Sequence, residues 1–169
     1  KSVFVKFAVT INATTAASVS NQGTVSGGNF SNVLTDDPNV GGAADPTVTL
    51  VEQPPVVSNI SPSTNEDTTL TFSAAMFDAG FADPNAGDTL QSVKITSLPS
   101  ASAGVLKNGA NPVAVNDVIA RASLGSLHFD PAADYNGAAS FNWNGSDGTL
   151  FANADAAVNI TVNPVNDTP

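Results

Sequence analysis

Cysteine is absent from all 169 residues. Disulfide staples and thiolate metal centres are therefore excluded. Stability must come from packed cores or from ions held by oxygen. Histidine occurs once, at His128. A single imidazole without any thiol leaves few nucleophile–base pairings, and no GxSxG elbow, HExxH or phosphate-binding loop occurs. Basic residues are scarce: five Lys and Arg against fifteen Asp and Glu, a net charge of -10. Nucleic acid is excluded as a partner, because phosphate neutralisation needs a basic patch. Binding to an anionic membrane is disfavoured for the same reason. No stretch approaches the roughly 18 apolar residues of a membrane-spanning helix. The opening residues are not expected to be a secretory leader either. With Lys1 in first place and a strand-like run from Val3, the chain is expected to begin inside a longer precursor. Met, Trp and Tyr occur once each.

What is present points to strands and turns. Hydrophobic residues make up 41% of the chain, enough for a core. Ala, Val, Thr, Asn, Ser and Gly dominate. Val and Thr are β-branched and favour strands, whereas Asn, Gly, Asp and Pro shape turns. Thirteen of the fifteen acids are Asp and two, Glu52 and Glu66, are Glu. That bias places the acids in loops. Asp-rich loops suit a hard divalent cation, above all Ca²⁺; solubility of an acidic surface is the plainer explanation.

Alternation predicts strands at 3–11, 18–26, 29–34 and 47–52. The segment TDDPNVGGAADPT (35–47) is a loop. Three or four strands fall short of the roughly seven of a sandwich, so residues 1–53 are expected to be the C-terminal part of an Ig-like domain. Pro54 and Pro55 open a Pro-rich connector over 54–64. A fuller set follows at 68–73, 89–98, 103–107, 112–115, 126–129, 138–144 and 156–163. Turns such as DPNAGD (83–88), KNGAN (107–111), DPAADYNG (130–137) and GSDGT (145–149) separate its strands. Residues 117–124 are expected to form a helical turn with Val118, Ile119 and Ala122 on one face. The whole is predicted all-β: tandem immunoglobulin- or cadherin-like sandwiches, the first incomplete, with a second sandwich at 65–163 and a connector to a following repeat at 164–169. Both units end alike, in TVTLVEQPPVV and NITVNPVNDTP, which is the pattern of an array.

The stretches NEDTTLTFSAAMF (65–77), FADPNAGDTLQSVKITSLP (81–99), SLHFDPAADYNGAASFNWNGSDGT (126–149) and NITVNPVNDTP (159–169) resemble the cadherin-like tandem repeat of very large bacterial surface proteins and adhesins. Residues 15–51 resemble the end of an Ig-like conserved-repeat domain of such proteins. The resemblance implies export to the cell surface, repetition, calcium in loops or connectors, and a spacing, adhesive or surface-layer role. Its usual connector, seen at 164–169 as PVNDTP, is missing between the two units, where VEQPPVVSNISP stands.

The metal candidates are Glu66 and Asp67 at the start of the second sandwich, Asp83, Asn85 and Asp88 in one loop, Asp147 in the SDG turn, and Asn166 and Asp167 in the terminal connector. Calcium takes six to eight hard oxygens, about 2.3–2.6 Å away. The resemblance implies that early Glu, turn carboxylate and connector gather at one pole. Each Asp could equally be a turn former bonding its own backbone. Asp36, Asp37 and Asp45 form a second, weaker group. His128 is expected to be structural. Trp143 shares a strand face with Phe141, as a core aromatic does, although Trp143 and Tyr135 could stack on a sugar. Lys6, Lys94 and Lys107 invite an isopeptide reading, with Lys94 the best placed; a solvent-facing Lys that discourages edge pairing is the simpler one. The function expected is a non-enzymatic extracellular structural or adhesive module. Its partners would be neighbouring repeats or identical subunits, or cell-surface glycans and proteins. Two alternatives are a filament subunit completed by strand donation and a carbohydrate-binding module.

Overall fold

A computed structural model describes residues 18–35 and 45–166. The strand expected at 3–11 and the candidates Asp36, Asp37 and Asp167 lie outside the described residues. The chain divides into two compact units, Lys1–Gln53 and Pro54–Pro169.

In the first unit, β1 (Ser18–Asn21) and β4 (Thr47–Leu50) pair antiparallel, Ser18 opposite Leu50. Between them in sequence, β2 (Thr24–Gly27) and β3 (Phe30–Leu34) form a hairpin with a register shift between Val25 and Gly27. The expected strand 18–26 is thus two strands, because Gly23 breaks it. Val25, Val33, Leu34, Val48 and Leu50 are all exposed. Thr, Ser and Val alternation makes the strands, yet among the described residues no second layer packs on their apolar side chains.

The second unit closes a core between two sheets. β5 (Val56–Val57), β6 (Ser63–Asn65), β7 (Leu70–Thr71), β8 (Phe81–Ala82), β9 (Ser92–Ile95), β10 (Gly104–Asn108), β11 (Asn111–Pro112), β12 (Val118–Ala120), β13 (Leu127–Pro131), β14 (Gly137–Ser146) and β15 (Ala156–Asn163) follow in order. One sheet runs β11-β10-β13-β7, the other β12-β9-β14-β15-β6, and β5 pairs with β8. Period-two alternation sets the inward faces. Along β15, Ala156, Val158, Ile160 and Val162 are buried; along β14, Ala139, Phe141 and Trp143 are. Leu70, Leu106, Leu127 and Phe129 face them from the four-stranded sheet and join the same core. Pro112 sits on the edge strand β11, where its missing N–H costs no ladder bond.

Three segments differ from expectation. Residues 54–64 are not a free connector: Val56 and Val57 pair with Ala82 and Phe81, Ile60 bridges Val158, and β6 runs parallel to β15. Their short apolar pairs were masked by the prolines around them. The strand expected at 68–73 stops at Thr71. Phe72 still enters the core, and the chain then turns into α1 (Ala74–Asp78), whose Phe77 is fully buried. Ala-Ala-Met favours helix, and one turn is enough to drop Phe77 onto Trp143, ring centroids 5.1 Å apart. Finally, 117–124 begins as β12 and becomes a 3₁₀ helix only at Arg121–Ser126. Val118 is exposed and Ile119 buried, so the two point to opposite sides.

Two ends of the second unit as candidate functional site

The parallel pairing of β6 with β15, Asn163 opposite Asn65, governs the geometry. Two parallel strands, β6 near the start of the unit and β15 its last, mean that the chain crosses the sandwich from one end to the other. The upstream end holds Pro54 and Pro55, close to Ala152, Asn153 and Ala154. The downstream end holds Glu66 and the exit after β15.

The seven described metal candidates do not form one cluster. Glu66, Asp67 and Asn166 belong to the downstream end, beside the start of β14, since Gly137 opposes Val162 and Val162 opposes Thr64. Asp83, Asn85, Asp88 and Asp147 belong to the upstream end, beside the finish of β14, where Ser146 opposes Ser92. Ten strand residues lie between, a span of about 30 Å. Sequence order could not reveal this, because it depends on which strands pair. Among the described residues, no three His, Cys, Asp or Glu side chains gather as a metal site.

At the downstream end Glu66 is buried. Its Oε1 accepts the Val165 N–H at 2.5 Å and its Oε2 accepts the Asn136 side-chain amide at 3.1 Å. Its own N–H donates to Asn163 O at 2.9 Å. The Val165 hydrogen bond, then that from Asn136, holds the Glu66 carboxyl below its ordinary range. Asp67 Oδ1 accepts the Asp134 N–H at 3.3 Å. Asp67 and Asp134 both have left-handed backbone, φ 57° and 56°, which brings the 65–68 and 132–136 turns together. Asp134 and Asn136 were missed as site residues. DYNG was read as a turn, but its long-range contact with NED was not visible in sequence.

At the upstream end two of the acids, Asp83 and Asp147, first serve their own turns. Asp83 Oδ1 accepts the Asn85 N–H at 2.8 Å. Asp147 Oδ1 accepts the N–H groups of Thr149 and Leu150 at 2.5 and 2.7 Å. The turn-former explanation is therefore correct for one oxygen of each. The other oxygens, Asp83 Oδ2 and Asp147 Oδ2, are buried and have no hydrogen-bond partner. A cation would supply one, so these donors suit calcium in kind. A cleft lined by Asp78, Phe81, Asp83, Asp88, Leu90 and Arg121 opens here. Arg121 donates to both Asp78 oxygens, at 2.9 and 2.6 Å.

The remaining candidates have structural places. Trp143 is wholly buried, which leaves no face for a sugar; Tyr135 packs on the core and donates its hydroxyl to Ala138 O at 2.6 Å. His128 lies between Leu127 and Phe129 on the outward face, 3.8 Å from Asp130, with Nδ1 3.0 Å from Ser126 O. Lys107 pairs with Asp130 at 2.9 Å. Lys94 extends over the Phe151 ring, 4.5 Å from its centroid. Lys6 lies outside the described residues.

A two-sheet, all-β sandwich traversed end to end, with Asp and Asn turns at both ends, defines the immunoglobulin- and cadherin-like class. The family model of the cadherin-like domain matches residues 51–163, more than half of the sequence, and the chain belongs to that family. Its start at residue 51 agrees with the pairing of β5 and β6 into the sandwich. No curated protein matches the chain at a significant level. Cadherin-like domains are adhesive or structural extracellular modules, generally without enzymatic activity, that meet neighbouring repeats or partner proteins. No helix among the described residues is long and apolar enough to cross a membrane.

Proposed function

We propose that this chain is a non-enzymatic structural or adhesive repeat segment of a large, exported bacterial surface protein, and that calcium stiffens it. Residues 1–53 are the C-terminal part of an Ig-like sandwich, 65–163 with the strands at 56–57 and 63–65 form the cadherin-like one, and 164–169 lead to a following repeat. One observation carries this reading: the second unit is entered at one end and left at the other, with oxygen donors at both. Modules built so can follow one another head to tail. Glu66, Asp67 and Asn166, with Asp134, Asn136 and the following Asp167, would face the upstream end of the next repeat. Asp83, Asn85, Asp88 and Asp147 are the equivalents at this unit's own upstream end. Carbonyl oxygens, water and an adjoining repeat would complete the six to eight ligands that calcium takes.

Calcium titration by calorimetry tests the assignment. Glu66→Gln should weaken binding at the downstream end, and Asp147→Asn at the upstream end, each without abolishing the other. Absence of any calcium heat in the intact chain would refute it.

The exposed Val25, Val33, Leu34, Val48 and Leu50 of the first unit favour a second reading, a filament subunit whose open sheets take a strand from another chain. Light scattering distinguishes them: the first reading expects monomers at micromolar concentration, the second open-ended oligomers.

A further inference from the structure

On the outward face of the five-stranded sheet, Lys94 of β9 stands directly opposite Asn144 of β14. Directly opposed residues point to the same side, with Cβ atoms about 5 Å apart. An outward Asn on a sheet is ordinarily wet. Asn144 is instead only 5% exposed, because the segment from Phe151 to Asp155 folds over it. Its Nδ2 donates to Ala152 O at 3.1 Å and to Asp155 Oδ1 at 2.8 Å. Exchanging the amide oxygen and nitrogen would set the oxygen against two acceptors, so the nitrogen faces Asp155. Asn144 Oδ1 is buried and accepts no hydrogen bond. Phe151, bridged to Ser146, holds its ring over the Lys94 amine. One short flap thus covers a carboxamide and the carboxylate bonded to its nitrogen, and its Phe151 ring reaches the primary amine on the neighbouring strand.

We propose that Lys94 and Asn144 join through an intramolecular isopeptide bond, with Asp155 carrying the proton. The Asn144 hydrogen bond above all keeps the Asp155 carboxyl below its ordinary range, so it is ionised and can accept. Lys94 rotates from the Phe151 ring to the Asn144 carboxamide and passes its ammonium proton to Asp155. The free amine attacks Cγ, forming the Nζ–Cγ bond. Asp155 returns a proton to Nδ2 while the attacking nitrogen loses one. The Cγ–Nδ2 bond breaks and ammonia departs, leaving as ammonium with the proton that Lys94 brought. No oxidant or reductant is involved. Holding amine and amide on adjacent rungs of a sheet makes the reaction effectively unimolecular, and a positioned carboxylate supplies the acid–base step. The product ties β9 to β14, the central strand of the sheet, by a bond that load cannot pull apart as it can a hydrogen-bonded ladder.

Intact-mass spectrometry of the folded full chain tests this. The expected mass is that of the sequence less one ammonia, with fragmentation showing a branched peptide that joins the Lys94 and Asn144 segments. Lys94→Arg keeps the charge and the strand but cannot form the bond, and should restore the sequence mass. Asp155→Asn should leave most chains unlinked. Asn-Gly pairs at 108–109, 136–137 and 144–145 could also lose ammonia by closing to succinimides. That loss would persist in Lys94→Arg. A wild-type chain at its full sequence mass, a loss that survives Lys94→Arg, or complete linkage in Asp155→Asn would each overturn the proposal.

Discussion

Asn136 donates its side-chain amide to Glu66 across 70 residues of sequence, at 3.1 Å. The other Glu66 oxygen holds the Val165 N–H. One carboxylate therefore fixes the end of β6, the turn before β14 and the chain leaving β15. Glu66→Ala removes the acceptor and should release the Val165 amide. The check is amide hydrogen exchange, in which Val165 is expected to lose protection while Val158, deep in β15, keeps it. Unchanged protection at Val165 would show that the exit is held by something else.

Four carboxyls of the second unit, Glu66, Asp78, Asp130 and Asp155, are held below their ordinary range, by Val165, Arg121, Lys107 and Asn144 respectively as the first cause. A lowered folded-state pKa contributes stability above the unfolded value and loses it as pH falls through the folded one. Chemical denaturation should therefore give a level stability from neutrality to about pH 5 and a fall below about pH 4. Exposure screens the Asp78–Arg121 pair, so Asp78→Asn should flatten that fall only slightly. A maximum below pH 4 would contradict the assignment.

Phe141, Phe72, Phe77 and Trp143 form a chain of tilted and edge-on ring contacts through the core. Phe77→Ala should cost about 3–5 kcal/mol and shift Trp143 emission. A cost below about 1 kcal/mol would mean that α1 is not packed as described.

Gly104 has φ +149°, and a Cβ there would lie 2.2 Å from Asp130 O and 2.7 Å from the Phe129 ring. Gly104→Ala should destabilise by about 1–3 kcal/mol, the usual cost of forcing extra volume into packed structure. Gly109 meets no atom within 4 Å, so Gly109→Ala reports only its left-handed backbone and should cost less. Equal effects would remove the steric explanation.

Much of the fold was legible. The alternation in AAVNITVN and AASFNWN gave β15 and most of β14, and placed Phe141 and Trp143 inward, because burial on one face of a strand imposes period two. The helix at Ala74–Asp78 was not legible, since one turn is too short to show a period. Nor were β5 and β6, two- and three-residue strands beside prolines. The metal candidates were chosen by residue type and loop position. Their division between two ends follows from the parallel β6–β15 pairing, which no local pattern encodes. Asp134 and Asn136 escaped notice for the same reason: their partners Asp67 and Glu66 are distant in sequence.

Thermal unfolding of the intact chain in chelator, in Mg²⁺ and in Ca²⁺ tests the calcium-stiffened module most directly. An ion that binds only the folded state stabilises it by about 2.7 kcal/mol at a hundred times its dissociation constant. Magnesium should do less, because it demands tighter octahedral geometry and sheds water reluctantly. The account predicts that Tm of the second unit rises with calcium, rises less with magnesium, and rises less steeply with calcium in Asp83→Asn and Glu66→Gln. Identical Tm values in all three conditions would show that these acids serve only their turns and hydrogen bonds, and that the sandwich is held by packing alone.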